Sequence, residues 1–174
     1  MPAEYLIFST SLRSASLSRV MAGAVGDAYA KLGVAHRLVD LREFVLPLCD
    51  GETAYDHPHV ETLTALIEAA RVIIVATPIY NYDANAAVKN LIELTGGAWE
   101  DKTVGFLCAA GGASSYMSVM GLANSLMLDF RCLIIPRFVY AKGDDFTAKK
   151  QPNAALAERL TALAEASTKI RNAG

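Results

Sequence analysis

Serine hydroxyls and an arginine are concentrated near the N-terminus, where residues 9–19 read Ser-Thr-Ser-Leu-Arg-Ser-Ala-Ser-Leu-Ser-Arg. This segment leads into a stretch with apolar residues at helical spacing. The start of a helix offers free backbone N–H groups and a positive dipole end, and Arg13 adds a guanidinium charge. Together with the hydroxyl groups, these can bind a phosphate. The other interpretation of this pattern is that Ser16 or Ser18 only caps the helix while Arg13 is solvated.

Two further loops carry groups that suit a flat ring. Residues 77–82, Thr-Pro-Ile-Tyr-Asn-Tyr, contain a proline and two tyrosines, which can form a wall for an aromatic ring. Gly111 and Gly112 let the backbone approach a ligand closely because glycine has no Cβ. Each loop taken alone also fits an ordinary turn. The serine segment has neither the Rossmann nor the Walker glycine pattern, so the three loops together indicate a mononucleotide with a flat ring, such as FMN.

Short apolar runs alternate with longer amphipathic stretches, and this alternation predicts how the loops are positioned. Strands are predicted at residues 5–8, 36–40, 72–76, 104–109 and 132–135, and helices at 17–32, 60–70, 85–94, 116–128 and 154–170. Five strand-then-helix units predict an α/β fold with a doubly wound parallel sheet, in a single domain over residues 1–174. Such sheets bind ligands beyond the carboxyl ends of their strands, where the three loops are expected.

The amino-acid composition and net charge exclude several classes of function. Hydrophobic residues make up 53% of the 174 and charged residues 20%, which indicates a globular chain with a core. A net charge of −2 gives no general attraction to nucleic acid or to anionic lipid. The uncharged residues 103–128 are interrupted by two glycines and several serines, so we expect no membrane span. Three widely spaced cysteines argue against a disulfide scaffold or a zinc site and suit a cytoplasmic location.

Three segments carry a resemblance to a known family. Residues 11–19 resemble the Gly-Ser-x-Arg-x-x-Ser-x-Asn/Ser phosphate signature of the NADPH-dependent FMN reductase family. Residues 77–81, continuing to Val-Lys-Asn at 88–90, are similar to its Thr-Pro-Glu-Tyr-Asn…Leu-Lys-Asn signature, and the two glycines match its loop after strand four. The similarity runs from Tyr5 to Pro136. Thr10 stands where the family usually has glycine and Ile79 where glutamate is frequent, which bears on substrate range more than on flavin binding.

The resemblance implies a fold, a reaction and a set of site residues. It implies a flavodoxin-like three-layer sandwich with a five-stranded sheet in the order 2-1-3-4-5. It also implies FMN as cofactor and NADPH or NADH as co-substrate, with electrons passed to free flavin, a quinone, an azo dye or a metal oxyanion. The implied cofactor-binding residues are Ser11, Arg13, Ser16, Leu17 and Ser18 for the phosphate, Pro78, Ile79, Tyr80 and Asn81 for the isoalloxazine ring, and Gly111 and Gly112 for its pyrimidine edge. No catalytic side chain and no metal are implied, because hydride passes directly between two cofactors.

Two expectations concern partners. The predicted helix from Tyr116 to Leu128 is apolar on nearly all faces, so we expect a second copy of the chain to cover it, in a homodimer or homotetramer. The alternative is that the C-terminal segment covers it. The alternative to an enzyme is a flavodoxin-like FMN electron carrier, although such carriers usually have a more acidic surface than a net charge of −2 provides.

Overall fold

The apolar runs of the sequence form a mainly parallel sheet. The structure is a computed structural model that describes residues 4–171. Its strands are β1 (Tyr5–Ser9), β2 (His36–Asp40), β3 (Val72–Tyr80), β4 (Asp83–Ala84), β5 (Thr103–Ala109), β6 (Leu133–Ile134) and β7 (Val139–Ala141). The order is β2-β1-β3-β5-β6, with β7 also paired to β5 and the short β4 antiparallel to β3. This confirms the predicted doubly wound sheet and its order 2-1-3-4-5.

The predicted fifth strand, residues 132–135, is in fact two strands. Leu133 pairs with Thr103 and Val139 pairs with Leu107. The chain therefore advances by six positions on this side while β5 advances by four. Pro136 lies between the two pieces, and proline has no N–H to give to a sheet. The chain therefore leaves the sheet at Pro136 and returns to it, and the sequence prediction missed the return.

Five helices cover the sheet. They are α1 (Leu17–Lys31), α2 (Pro58–Ala69), α3 (Ala86–Thr95), α4 (Met120–Phe130) and α5 (Ala154–Lys169), and short 3₁₀ helices lie at Leu41–Glu43, Thr53–Asp56, Gly96–Trp99 and Gly143–Asp145. Only α4 differs clearly from its prediction, because residues 116–119 form turns rather than the first turn of a helix. Within residues 4–171, no helix combines the length and apolar character that crossing a membrane requires.

The two faces of the sheet carry separate cores. Leu6 and Phe8 of β1 point to the layer of α2, α3 and α4, whereas Tyr5 and Ile7 point to the layer of α1 and α5. This alternation is the two-residue period of a strand buried on both faces. The parallel pairing of β1 with β3 and of β3 with β5 brings the carboxyl ends of these three strands to the same edge. The three loops singled out in the sequence therefore leave the sheet side by side.

Gly33 ends α1 as its sequence position predicts. It has φ 68°, its N–H donates to the carbonyl of Ala30, and the N–H of Val34 donates to that of Tyr29. This is the Schellman arrangement, in which a left-handed residue closes the helix. A Cβ at Gly33 would meet nothing within 4 Å, so only the backbone conformation requires glycine here.

We expect Gly33→Ala to lower the free energy of unfolding by about 1 kcal/mol, since L residues disfavour the left-handed region. Gly23, inside α1, is the matched control, because a Cβ there also meets nothing within 4 Å and its φ is not positive. Gly23→Ala should raise the free energy of unfolding by about 0.5–1 kcal/mol. Urea denaturation of the three proteins measures both changes, and equal changes in both variants would contradict this account of the helix end.

Candidate functional site

A cavity of about 440 Å³ opens at the carboxyl edge of β1, β3 and β5. It is lined by Ser11, Arg13, Ala15, Ser16, Leu17, Ser18, Pro78, Ile79, Tyr80, Ala109, Ala110, Gly111 and Gly143. The structure thus brings together most of the residues singled out in the sequence and leaves Asn81 and Gly112 outside the lining. No carboxylate lines the cavity, and its one cationic side chain is that of Arg13. These features suit an anionic ligand with an apolar body.

The serine segment caps α1 and also faces the cavity. Ser16 is the N-cap, and its hydroxyl oxygen accepts a hydrogen bond from the N–H of Arg19 at 3.3 Å. The hydroxyl oxygens of Ser16 and Ser18 lie 2.9 Å apart, and both residues are buried together with Ser11. The capping role, which the sequence left as an alternative, is therefore present. It does not exclude ligand binding, because all three serines also line the cavity.

Arg19 holds the shape of this loop. Its Nη2 donates to the carbonyl of Ser11 at 2.7 Å, and its Nη1 donates to those of Arg13 at 2.8 Å and Ser14 at 3.1 Å. Its Nε and Nη2 donate to the carboxylate of Asp40 at 2.7 and 3.3 Å. All five donors of the guanidinium group are thereby used. Arg19 is a positioning residue, and it does not line the cavity.

The position of Arg19 determines where the loop's N–H groups point. In a trans peptide, the C=O of one residue and the N–H of the next point in opposite directions. Because three loop carbonyls face Arg19, the N–H groups of Leu12, Ser14 and Ala15 point away from it. Among residues 4–171, these N–H groups have no hydrogen-bond acceptor. They are therefore available to an anion, as in other backbone phosphate sites.

Asp40, at the end of β2, anchors Arg19. Its side chain is only 8% exposed and also pairs with Arg42 at 2.7 Å. Burial by itself would raise the pKa of Asp40, but the hydrogen bonds from Arg42 and Arg19 outweigh it and lower the pKa to about 2. The stabilisation from this cluster is therefore present above the ordinary pKa of 3.8 and is lost as the pH falls from there towards 2.

A buried polar network connects the serine segment (residues 9–19) to the loop after β3. The hydroxyl of Thr10 lies 2.9 Å from Oδ1 of Asn85, and Nδ2 of Asn85 donates to the carbonyl of Thr10 at 2.8 Å. The hydroxyl of Thr77 lies 3.0 Å from the same Oδ1. Thr10 does not have a positive φ, so this position does not require the family's glycine. Its side chain instead joins two loops that are far apart in sequence.

The loop after β3 is a tight hairpin that presents aromatic side chains. Tyr80 pairs with Asp83, and the two residues between them, Asn81 and Tyr82, have φ of 50° and 69°. This left-handed pair matches the turn preferred in two-residue hairpins, where asparagine is common and tyrosine is unusual. Ile79 is buried at the base of the hairpin, whereas Tyr80 is half exposed at the cavity rim.

The loop after β5 is held by Tyr140 of β7. The hydroxyl of Tyr140 donates to the carbonyl of Gly112 and lies 2.7 Å from the hydroxyl of Ser115. The ring of Tyr116 packs against that of Tyr140, with centroids 5.4 Å apart. These contacts hold the segment before α4 against β7, and this segment forms turns rather than helix. Gly143, just beyond β7, also lies in the cavity wall. The sequence analysis missed this residue, although the apolar residues 139–141 after Pro136 could have indicated a further strand leading to it.

Comparison with known proteins places this chain in a family. Residues 4–146 match the family model described as NADPH-dependent FMN reductase. The chain belongs to this family. Its description names the enzyme class and the cofactor that the sequence analysis expects, and so confirms both predictions. Among residues 4–171, no group of three or more His, Cys, Asp and Glu side chains could hold a metal ion.

Two curated relatives that the chain resembles are flavin reductases, and a solved structure has the same fold. The chain is 27% identical over 118 residues to an NAD(P)H-dependent FAD/FMN reductase of Geobacillus thermodenitrificans, an alignment that covers 66% of this chain and 63% of that protein. It is 28% identical over 136 residues to an NADH-dependent FMN reductase of Pseudomonas putida, covering 77% and 73% of the two chains. A flavoenzyme NAD(P)H:(acceptor) oxidoreductase of Paracoccus denitrificans has the same fold, with a TM-score of 0.78, 18% identity and 96% of each chain covered.

Arg19→Lys should weaken FMN binding by about tenfold or more, because a hydrogen bond to a charged group contributes about 1.5–3 kcal/mol and lysine cannot hold three carbonyls and Asp40 together. Arg42→Lys is the matched control, since Arg42 pairs with the same carboxylate but contacts no loop carbonyl. It should leave the affinity for FMN nearly unchanged. Calorimetric titration of both variants with FMN tests this, and equal losses would show that the carbonyl contacts do not matter.

Proposed function

We propose that this chain catalyses hydride transfer from NAD(P)H to FMN held in the cavity, and that a second molecule then collects the electrons. The observation that carries this proposal is the serine loop at the start of α1, which lines a cavity bordered by no carboxylate with Arg13, buried serine hydroxyls and the free N–H of Ala15. When bound, FMN supplies the two-electron chemistry. The protein supplies binding, orientation and a suitable electrostatic environment.

The residues that would hold the phosphate are those of the loop. Its donors would be the free N–H of Ala15 and the hydroxyls of Ser11 and Ser16, which line the cavity. The free N–H groups of Leu12 and Ser14 lie on neighbouring peptides of the same loop. Arg13 adds the positive charge, and its exposed position lets the side chain adjust to the ligand. The donor set is entirely neutral or cationic, which fits a phosphate dianion.

The residues that would hold the ring are apolar or backbone groups. Pro78 and Ile79 form a buried wall, Tyr80 lies at the rim, and the segment from Ala109 to Gly111 offers backbone on the other side. No histidine, cysteine, lysine or carboxylate lines the cavity, so its walls provide no general acid or base suited to neutral pH. This agrees with direct hydride transfer, in which no side chain needs to carry a proton.

The class of molecule that accepts the electrons from the flavin is proposed from exposed aromatic side chains. Tyr80, Tyr82 and Tyr116 are each about half exposed. Flat aromatic acceptors can stack against such side chains, so we include free flavins, quinones and azo dyes, with metal oxyanions as a further class. A relative that is 26% identical over 142 residues, covering 80% of this chain and 77% of its own, is an NADPH azoreductase of a Bacillus species.

Spectroscopy tests the proposed reaction. The purified chain should bind FMN and become yellow, anaerobic NADPH or NADH should bleach the flavin absorbance, and adding a quinone or azo dye should restore it. A chain that binds FMN but is reduced by neither nucleotide would be an electron carrier. A colourless chain that does not bind added FMN would contradict both functions.

Arg13→Ala provides the internal control for this experiment. The variant should bind FMN about tenfold more weakly, since it loses one charged hydrogen-bond partner of the phosphate. Its affinity for riboflavin, which has no phosphate, should change by less than about twofold on the same reasoning. Equal losses for the two flavins would show that Arg13 does not contact the phosphate.

We also propose that two copies of the chain associate through α4. Tyr116, Met117 and Met120 are 51%, 55% and 41% exposed, and Leu128 is 77% exposed. A groove of about 620 Å³ between α3 and α4 adjoins this surface at Leu128, and charged side chains of Lys89, Glu93 and Asp129 line it beside apolar ones. Exposed apolar patches of this kind commonly mark interfaces. The C-terminal helix α5 packs on the opposite face of the sheet and so leaves α4 open.

Leu128→Glu should convert the oligomer into a monomer, because a carboxylate on this patch would be desolvated in the interface. Leu32→Glu is the control, since Leu32 is 44% exposed and follows α1 on the opposite face of the sheet. It should leave the oligomer intact. Light scattering after size-exclusion chromatography measures the mass of each, and a monomeric wild-type chain would overturn the proposed interface.

The remaining proposals concern organisation and location. We propose one FMN-binding domain over residues 1–174 and a cytoplasmic location. Cys108 and Cys132 are buried free thiols, and burial raises the pKa of Cys108 to about 12 and that of Cys132 to about 11. Both are therefore core residues without nucleophilic character near neutral pH, which suits a compartment where disulfides do not form.

A further inference from the structure

The turn that follows β7 is a part of the cavity wall outside the three segments that carry the family resemblance. Residues 142–145 form this turn, and Gly143 lines the cavity. β7 ends at Ala141, whose carbonyl accepts a hydrogen bond from the N–H of Ala110 at 2.8 Å. Ala110 belongs to the backbone segment proposed to face the flavin ring. The turn therefore extends the ring wall by one further piece of chain.

The conformation and packing of the chain do not require glycine at position 143. The φ angle of Gly143 is not in the left-handed region, unlike those of Gly33, Gly51 and Gly96. A Cβ added at this position would meet nothing within 4 Å. Because Gly143 lines the cavity, a side chain here would take up space that a ligand can use. Glycine is also the residue that lets a backbone approach a ligand most closely.

Hydrogen bonds within the turn close it. The N–H of Asp145 donates to the carbonyl of Lys142 at 2.9 Å, and the N–H of Phe146 donates to that of Gly143 at 3.1 Å. The carboxylate of Asp145 accepts a hydrogen bond from the N–H of Lys142 at 2.9 Å. Phe146, directly after the turn, is buried in the core that α1 and α5 form with the sheet. The position of Gly143 relative to β7 is therefore well defined.

Arg159 of α5 joins the two ends of this turn. Its Nη1 donates to the carbonyl of Tyr140 at 2.8 Å, and its Nη2 donates to the carboxylate of Asp145 at 2.9 Å. Successive carbonyls of a strand point to opposite sides. Because the carbonyl of Ala141 faces β5, that of Tyr140 lies on the other edge of β7, where Arg159 supplies its donor. One guanidinium group thus fixes both the strand and the turn that follows it.

The start of α5 makes two further contacts with the same turn. Asn153, the N-cap residue of α5, donates its N–H to the carbonyl of Asp145 at 2.9 Å and its Nδ2 to that of Asp144 at 3.3 Å. The family match ends at residue 146, whereas α5 begins at Ala154. The helix that holds this part of the wall therefore lies outside the part of the chain that matches the family.

We propose that Gly143 contacts the flavin directly, as a further binding residue, and that Arg159 is the positioning residue that holds it there. This inference rests on the proposed flavin site. The contact is one of shape, since Gly143 has no side chain and the carboxylate of Asp145 is already bonded to Lys142 and Arg159. The turn adjoins the ring wall, so the contacted part of the ligand is one that FMN and riboflavin share.

Calorimetric titration of Gly143→Ala with FMN and with riboflavin tests the contact. The added methyl group would take the place of a flavin atom, so both affinities should fall at least about fivefold. Gly97→Ala is the matched control, because Gly97 also lies in a 3₁₀ helix and a Cβ there also meets nothing within 4 Å, but it does not line the cavity. It should change neither affinity. Urea denaturation should find neither variant less stable than the wild type, since alanine restricts the unfolded chain.

Arg159→Gln tests the positioning role. The loss of its two hydrogen bonds should weaken the binding of both flavins about threefold to fivefold. Lys169→Gln is the control, because it removes the same charge from the exposed far end of α5, and it should have no effect. If Arg159 acts through the turn, its substitution should cost less affinity in a chain that already carries Gly143→Ala, since coupled residues are not additive. A purely structural role would lower the free energy of unfolding and leave the two losses of affinity additive.

Three results would overturn the inference while the flavin site stands. Unchanged flavin affinity in Gly143→Ala would show that the turn does not touch the ligand. A loss for FMN without a loss for riboflavin would place the contact on the phosphate instead of the ring wall. Additive losses in the double variant would show that Arg159 does not act through Gly143. If the wild-type chain binds neither flavin, the proposed function itself fails, and with it the site that this inference extends.

Discussion

The guanidinium group of Arg19 determines the geometry on which the candidate site depends. A loop between a buried strand and a helix must direct its carbonyl groups somewhere, and carbonyls facing a phosphate would repel it. Arg19 draws three of them to its own side, and Asp40 holds Arg19 against the end of β2. The N–H groups on the other side of the same peptides are thereby left for the ligand. One buried ion pair thus links the second strand, the loop and the first helix.

Local sequence patterns predict much of this structure. The β-branched residues 72–76 are sufficient to identify the central strand, and Gly33 identifies the end of α1. The segments that would contact FMN can be recognised in the sequence because each directly follows a predicted strand. In a parallel sheet those positions meet at one edge whatever the details of the loops.

The features that the sequence does not reveal depend on contacts between distant residues. Arg19 and Asp40 are 21 positions apart, and nothing in either segment indicates that they pair. The late start of α4 depends on Tyr140, whose hydroxyl holds Gly112 and Ser115. Gly143 reaches the cavity wall only because the chain returns to the sheet after Pro136. The helix or strand propensity of a segment does not indicate which distant residues that segment will contact.

The network of Thr10, Thr77 and Asn85 has a consequence for how a ligand is received. It is buried, and it ties the serine segment to the hairpin that would contact the ring. Neither loop can move far without breaking hydrogen bonds that water cannot replace. The two halves of the pocket are therefore assembled before any flavin arrives. In the proposed complex, such preorganisation would spare the entropy loss of ordering the loops, so the binding energy of the phosphate would serve mainly to place the ring.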